Sequence, residues 1–493
     1  MAPHATHFYR HRPFSLMAMA LLVGTLAMAG MLCPSTTPPP DDGGDNGGTP
    51  PTGDSGLTGK YVGAARCSQC HSGVHTDWLG TLHSKALETL EEIGQGTNSA
   101  CLGCHTVGFG DTGGFVDRAT TNSLAGVQCE NCHGAGGDHA SNVNDEALRP
   151  KLNISADVCG KCHTGEHHPN FEDWQTSKHA AVNAELVPRF ANGTSLNSCG
   201  KCHSGDYYYR AIIKGETVPD NALAGLTGDQ MAGITCVICH NPHARTGNVP
   251  TADDGRDYQL RHPLVKYTTP TTDLTMAQDP SRFNLCGQCH HTRDRVWTDS
   301  SREPHPSDQV NVFFGEMPLP ASNLEPIVPS RPSVHLNTAE QCSTCHVYRR
   351  PFVEGIAPAV SGHSFEVHMG GCVPCHGSEE NAQAKLTGIT VEFDFRSHLV
   401  EVALDAWAAR PAQVTWCTGL NPAPTGPCWE FTSEGGPANN AGGQGKIPDG
   451  IKKARYILYY FKDGGGGGVH NPDYMREALI LAEQYANEAP DVQ

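Results

Sequence analysis

Nine segments of this 493-residue chain read Cys-x-x-Cys-His. They are Cys67, Cys70 and His71; Cys101, Cys104 and His105; Cys129, Cys132 and His133; Cys159, Cys162 and His163; Cys199, Cys202 and His203; Cys236, Cys239 and His240; Cys286, Cys289 and His290; Cys342, Cys345 and His346; and Cys372, Cys375 and His376. The chain's own Cys and His frequencies would give roughly 0.05 such segments by chance. Two thiols at this spacing form thioethers to the two vinyl groups of one haem, and the next histidine lies under the iron as its proximal ligand. Zinc sites or dithiol redox pairs would leave the nine histidines unexplained. Nine covalently attached c-type haems are therefore expected. They take up 18 of the 21 cysteines. Of the other three, Cys417 and Cys428 flank a Gly/Pro-rich stretch and are expected to pair, and Cys33 lies at the end of the N-terminal apolar run.

Each iron needs a sixth ligand or an open position. Beyond residue 32 there are 24 histidines but only five methionines, Met231, Met276, Met317, Met369 and Met475. Mostly bis-His haems of low potential follow, because Met ligation is the variant that raises potential. The candidate distal ligands are His83, His139, His179, His243, His305, His335, His363, His398 and His470, with His262 the nearest competitor to His398. His75, His167, His168, His291 and His368 read as solvated or supporting side chains.

The elements that position these groups repeat. One unit has a motif at Cys67, then Trp78 with His83 five residues later, a motif at Cys101, and a third introduced by Ala125-Gly126-Val127-Gln128 and closed by His139. The next has a motif at Cys159, then Trp174 with His179 five residues later, a motif at Cys199, and a third introduced by Ala232-Gly233-Ile234-Thr235 and closed by His243. The expected layout is a first trihaem module at 59–150, a second at 151–262, a third trihaem block at 263–399 and a haem-free helical region at 400–493. With one motif per ~34 residues, little chain is left to build an apolar core, so porphyrin faces must supply it. The expected fold is mainly α with extensive loops, wrapped on a haem stack. Ile451, Ala454, Leu458 and Phe461, then Tyr474, Ala478, Leu481 and Tyr485, recur at helical spacing. The glycines at 464–468 separate the two stripes, and Asn471-Pro472 reads as a helix start. A C-terminal helical hairpin closing over the last haems is expected.

Residues 1–32 read as a signal segment, with Arg10 and Arg12 before the apolar run from Phe14 to Leu32. Cleavage after Ala27-Met28-Ala29 and lipidation of Cys33 are the competing processing routes. Residues 33–58 form a low-complexity linker. An exported chain follows, periplasmic or extracellular, either free or anchored as a lipoprotein, with no transmembrane span in the mature body. The net charge of −18 argues against nucleic-acid binding and favours redox partners with basic docking patches. No phosphate loop, Gly-x-Ser-x-Gly elbow or His-Glu-x-x-His site is present.

The stretches YVGAARCSQCHSGVHTDWLGTLHSKAL, CLGCHTVGF and GVQCENCHGAGGDH resemble the tetrahaem cytochromes c of ammonia oxidisers. CVICHNPH, LCGQCHHTRDRVW and GVHNPDYMREAL resemble elements of the wider class that includes octahaem hydroxylamine oxidoreductase and pentahaem nitrite reductase. The resemblance implies electron transfer through haems stacked in parallel and perpendicular pairs, with His83, His139, His179 and His243 as distal ligands. There are departures. Nine motifs exceed the tetrahaem set, no Cys-x-x-Cys-Lys segment exists, and nothing marks Tyr459, Tyr460 or Tyr474 for a haem crosslink. An electron carrier is the favoured reading, either separate or stacked with copies of itself into a filament. The alternative is an oxidoreductase acting on a small nitrogen or sulfur species at one five-coordinate haem, placed most readily in the block from Cys286 to His376.

Overall fold

The computed structural model describes residues 61–150, 153–250, 256–265, 284–292, 295–319, 325–439, 442–464 and 466–492. The signal segment, the linker and Cys33 lie outside the described residues.

From Tyr61 to His376 the chain is a succession of short helices, 3₁₀ turns and loops. Among the described residues there is no strand, only isolated bridges such as Thr106–Ala125 and His240–Leu260. Several motifs form single helical turns, as at Cys129–His133, Cys236–Cys239 and Cys342–His346. A helical turn puts residues three apart on one face, which presents both thiols of a motif side by side. Glycine ends two of these turns in a conformation that L side chains avoid, at Gly134 with φ 81° and Gly377 with φ 82°.

The two repeat units fold alike. Helix α1 (Ser72–Leu79) carries Trp78, whose Nε1 donates to the Val127 carbonyl at 3.0 Å. Helix α2 (Asn170–Thr176) carries Trp174, whose Nε1 donates to the Ile234 carbonyl at 2.9 Å. His83 and His179 each follow on a 3₁₀ turn. Their carbonyls accept from Val127 N at 2.9 Å and from Ile234 N at 2.8 Å. The glycine before each of those donor residues has no room for a side chain. A Cβ on Gly126 would lie 2.6 Å from the Ser84 carbonyl oxygen, and one on Gly233 would lie 2.4 Å from that of His179.

Helix α3 (Gln309–Phe314) sits at the junction with the C-terminal region. That region has three main helices. α4 (Glu379–Ala408) runs for 30 residues, α5 covers Asp449–Tyr459, and α6 covers Pro472–Glu488. α5 and α6 form the expected hairpin. Asn471 caps α6 by accepting from Tyr474 N at 3.2 Å. Ile451, Ala454, Leu458, Phe461, Tyr474 and Ala478 are all buried. α4 is an addition to that expectation. It starts immediately after the last motif, capped by Ser378 and with Glu379 and Glu380 facing the positive end of the helix dipole. It packs along α6. Glu392 on α4 accepts both Arg476 Nε and Nη2 at 2.7 Å, and these guanidinium contacts hold its carboxyl down at about 2. Cys417 and Cys428 form a disulfide with Cα atoms 6.0 Å apart, as the spacing led one to expect. No helix among the described residues is long and apolar enough to cross a membrane.

Candidate haem-binding centres

Seven motif histidines face a second histidine ring. The pairs are His83–His163, His133–His243 and His179–His290 at 6.1 Å between ring centres, and His203–His305 and His240–His363 at 6.2 Å. His346–His470 lies at 6.2 Å and His335–His376 at 6.4 Å. Each pair joins one motif histidine to one from outside the motifs. Two metal–imidazole bonds of about 2 Å, plus the distance from each ring centre to its coordinating nitrogen, add to roughly 6 Å. The residues therefore fit an iron between each pair.

Hydrogen bonds orient the rings. His105 Nδ1 donates to the Ala86 carbonyl at 2.8 Å, His240 Nδ1 to that of Tyr258 at 2.7 Å and His346 Nδ1 to that of Phe365 at 2.9 Å. Nδ1 of His290 donates to Gln309 Oε1 at 3.2 Å. A proton held on Nδ1 leaves Nε2 with its lone pair for a metal. Burial also keeps the imidazoles neutral, the form that ligates. It pulls His163, His179 and His363 down to about 4, with neighbouring histidines adding to the effect.

Two motif histidines stand apart. Neither His71 nor His105 is in a ring pair at this spacing among the described residues. His139, a candidate distal ligand, has a buried Nδ1 without a hydrogen-bond partner. His168, expected as a solvated or supporting side chain, is pulled down by burial, then by His167 and by His105. It therefore lies within electrostatic reach of the second motif. Its only sequence signal was its place after a motif. His398 sits on α4 with 70 % of its side chain exposed, 4.0 Å from Glu401, and faces no motif histidine ring among the described residues. In the block from Cys286 to His376 all three motif histidines have ring partners.

The motif thiols approach one another across motifs. Cys67 meets Cys129, Cys104 meets Cys162, and Cys159 meets Cys236. Cys289 meets Cys202, Cys286 meets Cys342, and Cys345 meets Cys372.

This is the fold of the multihaem c-type cytochromes. Residues 66–134 match the family Cytochrome c554 and c-prime. The chain is 36 % identical over 98 residues to cytochrome c-554 of Nitrosomonas europaea, a match covering 16 % of this chain and 42 % of that protein. The chain thus spans less than half the length of that curated relative. Among solved structures it is similar to the outer cell wall cytochrome OcwA, with a TM-score of 0.55 at 18 % identity, covering 86 % of this chain and 99 % of the other. It is also similar to an undecaheme cytochrome from the S-layer of Carboxydothermus ferrireducens, with a TM-score of 0.52 at 18 % identity, covering 88 % and 70 % of the two chains.

Proposed function

We propose that the chain is a nonahaem electron carrier exported to the periplasm or cell exterior. The observation that carries this reading is the set of seven histidine pairs at 6.1–6.4 Å. Each haem, once attached, supplies a one-electron iron couple. The protein's own residues do the rest. The thiols fix the positions, the paired imidazoles hold the irons six-coordinate, and the Nδ1 acceptors lock ring orientation. His139 is assigned to the first motif and His168 to the second.

The thiol approaches support an order. Motif 1 adjoins 3, motif 2 adjoins 4, and motif 4 adjoins 6. Motif 7 adjoins 5 and 8, and motif 8 adjoins 9. Cys132 acts on Cys159, linking motifs 3 and 4, and Cys239 acts on Cys286, linking 6 and 7. A main line through motifs 1, 3, 4, 6, 7, 8 and 9 results, with motifs 2 and 5 as side branches. The acidic surface favours partners with basic patches, and docking weakens as salt rises. The outer-wall and S-layer settings named for the two structural relatives agree with export.

The test is mass spectrometry with EPR on the mature protein. Nine attached haems and low-spin ferric signals are the expected result. A different count, or mainly high-spin iron, overturns the reading.

A second reading has one observation behind it: among the described residues His71 and His105 have no ring partner at the common spacing. An open iron for a small nitrogen or sulfur species would then sit at motif 1 or 2, away from the block after Cys286. A high-spin signal that shifts with nitrite, hydroxylamine or cyanide supports it, and spectra unchanged by all three exclude it.

A further inference from the structure

Motif 7 differs from its neighbours in what holds its histidine. Backbone carbonyls accept from Nδ1 of His105, His240 and His346. At His290 the acceptor is a side chain, Gln309 Oε1 at 3.2 Å. Gln309 opens α3, and the first turn of that helix is fastened to the motif by two further bonds. Val310 N donates to the His290 carbonyl at 3.1 Å, and Thr292 N donates to Asn311 Oδ1 at 3.0 Å. The glutamine is therefore held against the imidazole by its own backbone. The motif it serves adjoins three others. Its thiols meet Cys202 of motif 5 and Cys342 of motif 8, and feel Cys239 of motif 6.

We propose that Gln309 is a positioning residue that sets the reduction potential of the haem at motif 7. This rests on the reading that His290 ligates a haem iron. An acceptor on Nδ1–H makes the imidazole a stronger donor through Nε2. Stronger donation favours ferric over ferrous iron and lowers the potential. An amide oxygen does this moderately, a carboxylate does it more, and an alkyl group does not do it at all. A backbone carbonyl cannot be varied by substitution, so among the four motif histidines with these acceptors, motif 7 is the one whose tuning lies in a side chain.

The experiment is a spectropotentiometric titration of the holoprotein with Q309E and Q309L, alongside haem counting and EPR. Q309E moves one component, about a ninth of the haem absorbance, to lower potential. Q309L moves the same fraction to higher potential. The other components stay in place, and all irons stay low-spin. Opposite shifts from two variants at one site are not the mark of a merely structural role. If Q309L fails to fold, Q309N withdraws the oxygen by one methylene and gives the upward shift in its place. Shifts in the same direction, or none, with haem present on Cys286 and Cys289, overturn this inference and leave the electron-carrier reading standing. A peptide containing Cys286 and Cys289 that bears no haem overturns both.

Discussion

The stretch from Tyr61 to His376 and the stretch from Glu379 onward solve the problem of a protein interior differently. Among its described residues the first has three small apolar clusters, two of seven buried residues around Leu87 and Phe190 and one of four around Phe313. The second centres a single cluster of 26 buried residues that includes Trp407, Tyr460, Phe461 and Met475, five of them contributed by residues 297–328. The motif region holds its shape with indole-to-carbonyl bonds, side-chain-free glycines and histidines facing across its modules. The C-terminal region holds its shape as an ordinary helical protein does, by burying an apolar stripe on each helix. The difference teaches that the low apolar content of the first stretch is not weak folding. On the proposed reading, its interior is the haem stack.

The largest test of this contrast is to withhold the haems. Chain produced without haem attachment should lose protease resistance throughout residues 61–376 while α4, α5 and α6 keep theirs. Limited proteolysis with peptide mapping reads this, and a resistant motif region would break the comparison. Next in size is Trp407→Ala. Trp407 is fully buried and its Nε1 donates to the Pro490 carbonyl at 2.9 Å. Its loss should cost about 3–5 kcal/mol. The expected signature is an earlier helical transition in circular dichroism than in haem absorbance.

Gly233→Ala is the counterpart in the motif region. The added methyl meets the backbone at His179 and Ala180. A cost of about 1–3 kcal/mol is expected, with a change in the EPR of the haem served by His179, because overpacking here displaces backbone. Asn471→Ala removes the α6 cap and two bonds that tie it to the Val312 and Arg331 carbonyls. About 1–2 kcal/mol should be lost in chemical denaturation.

The smallest effect is pH-dependent. Burial pushes the Glu316 carboxyl from 4.5 up to about 7. The native state therefore keeps a proton that the unfolded chain releases. Its contribution to stability is full below pH 4.5 and is lost as pH rises through about 7. E316Q should flatten the fall in denaturation midpoint between about pH 5 and 8. An unchanged slope would remove Glu316 from the account.

The attachment motifs were legible because the chemistry is local: two thiols and a histidine within five residues need no fold to be recognised. The repeat was legible for the same reason, since Trp78 with His83 and Trp174 with His179 keep their spacing. The hairpin of α5 and α6 showed in its apolar period. α4 did not, because its buried positions Val400, Ala403, Leu404 and Trp407 lie in its second half, and its first half is mostly exposed.

Residue types and spacing alone determined that this chain carries haem-attachment motifs, how many, and that histidine would be abundant enough to face them. Which histidine meets which was decided only in three dimensions. His83 reaches forward 80 residues to His163, and His243 reaches back 110 to His133. His398 was drawn to the solvent face of a helix instead. An attachment motif is a pattern of residues a turn apart, whereas a pair of facing histidine rings joins distant parts of the chain, and only the packed chain brings such partners to 6.1–6.4 Å.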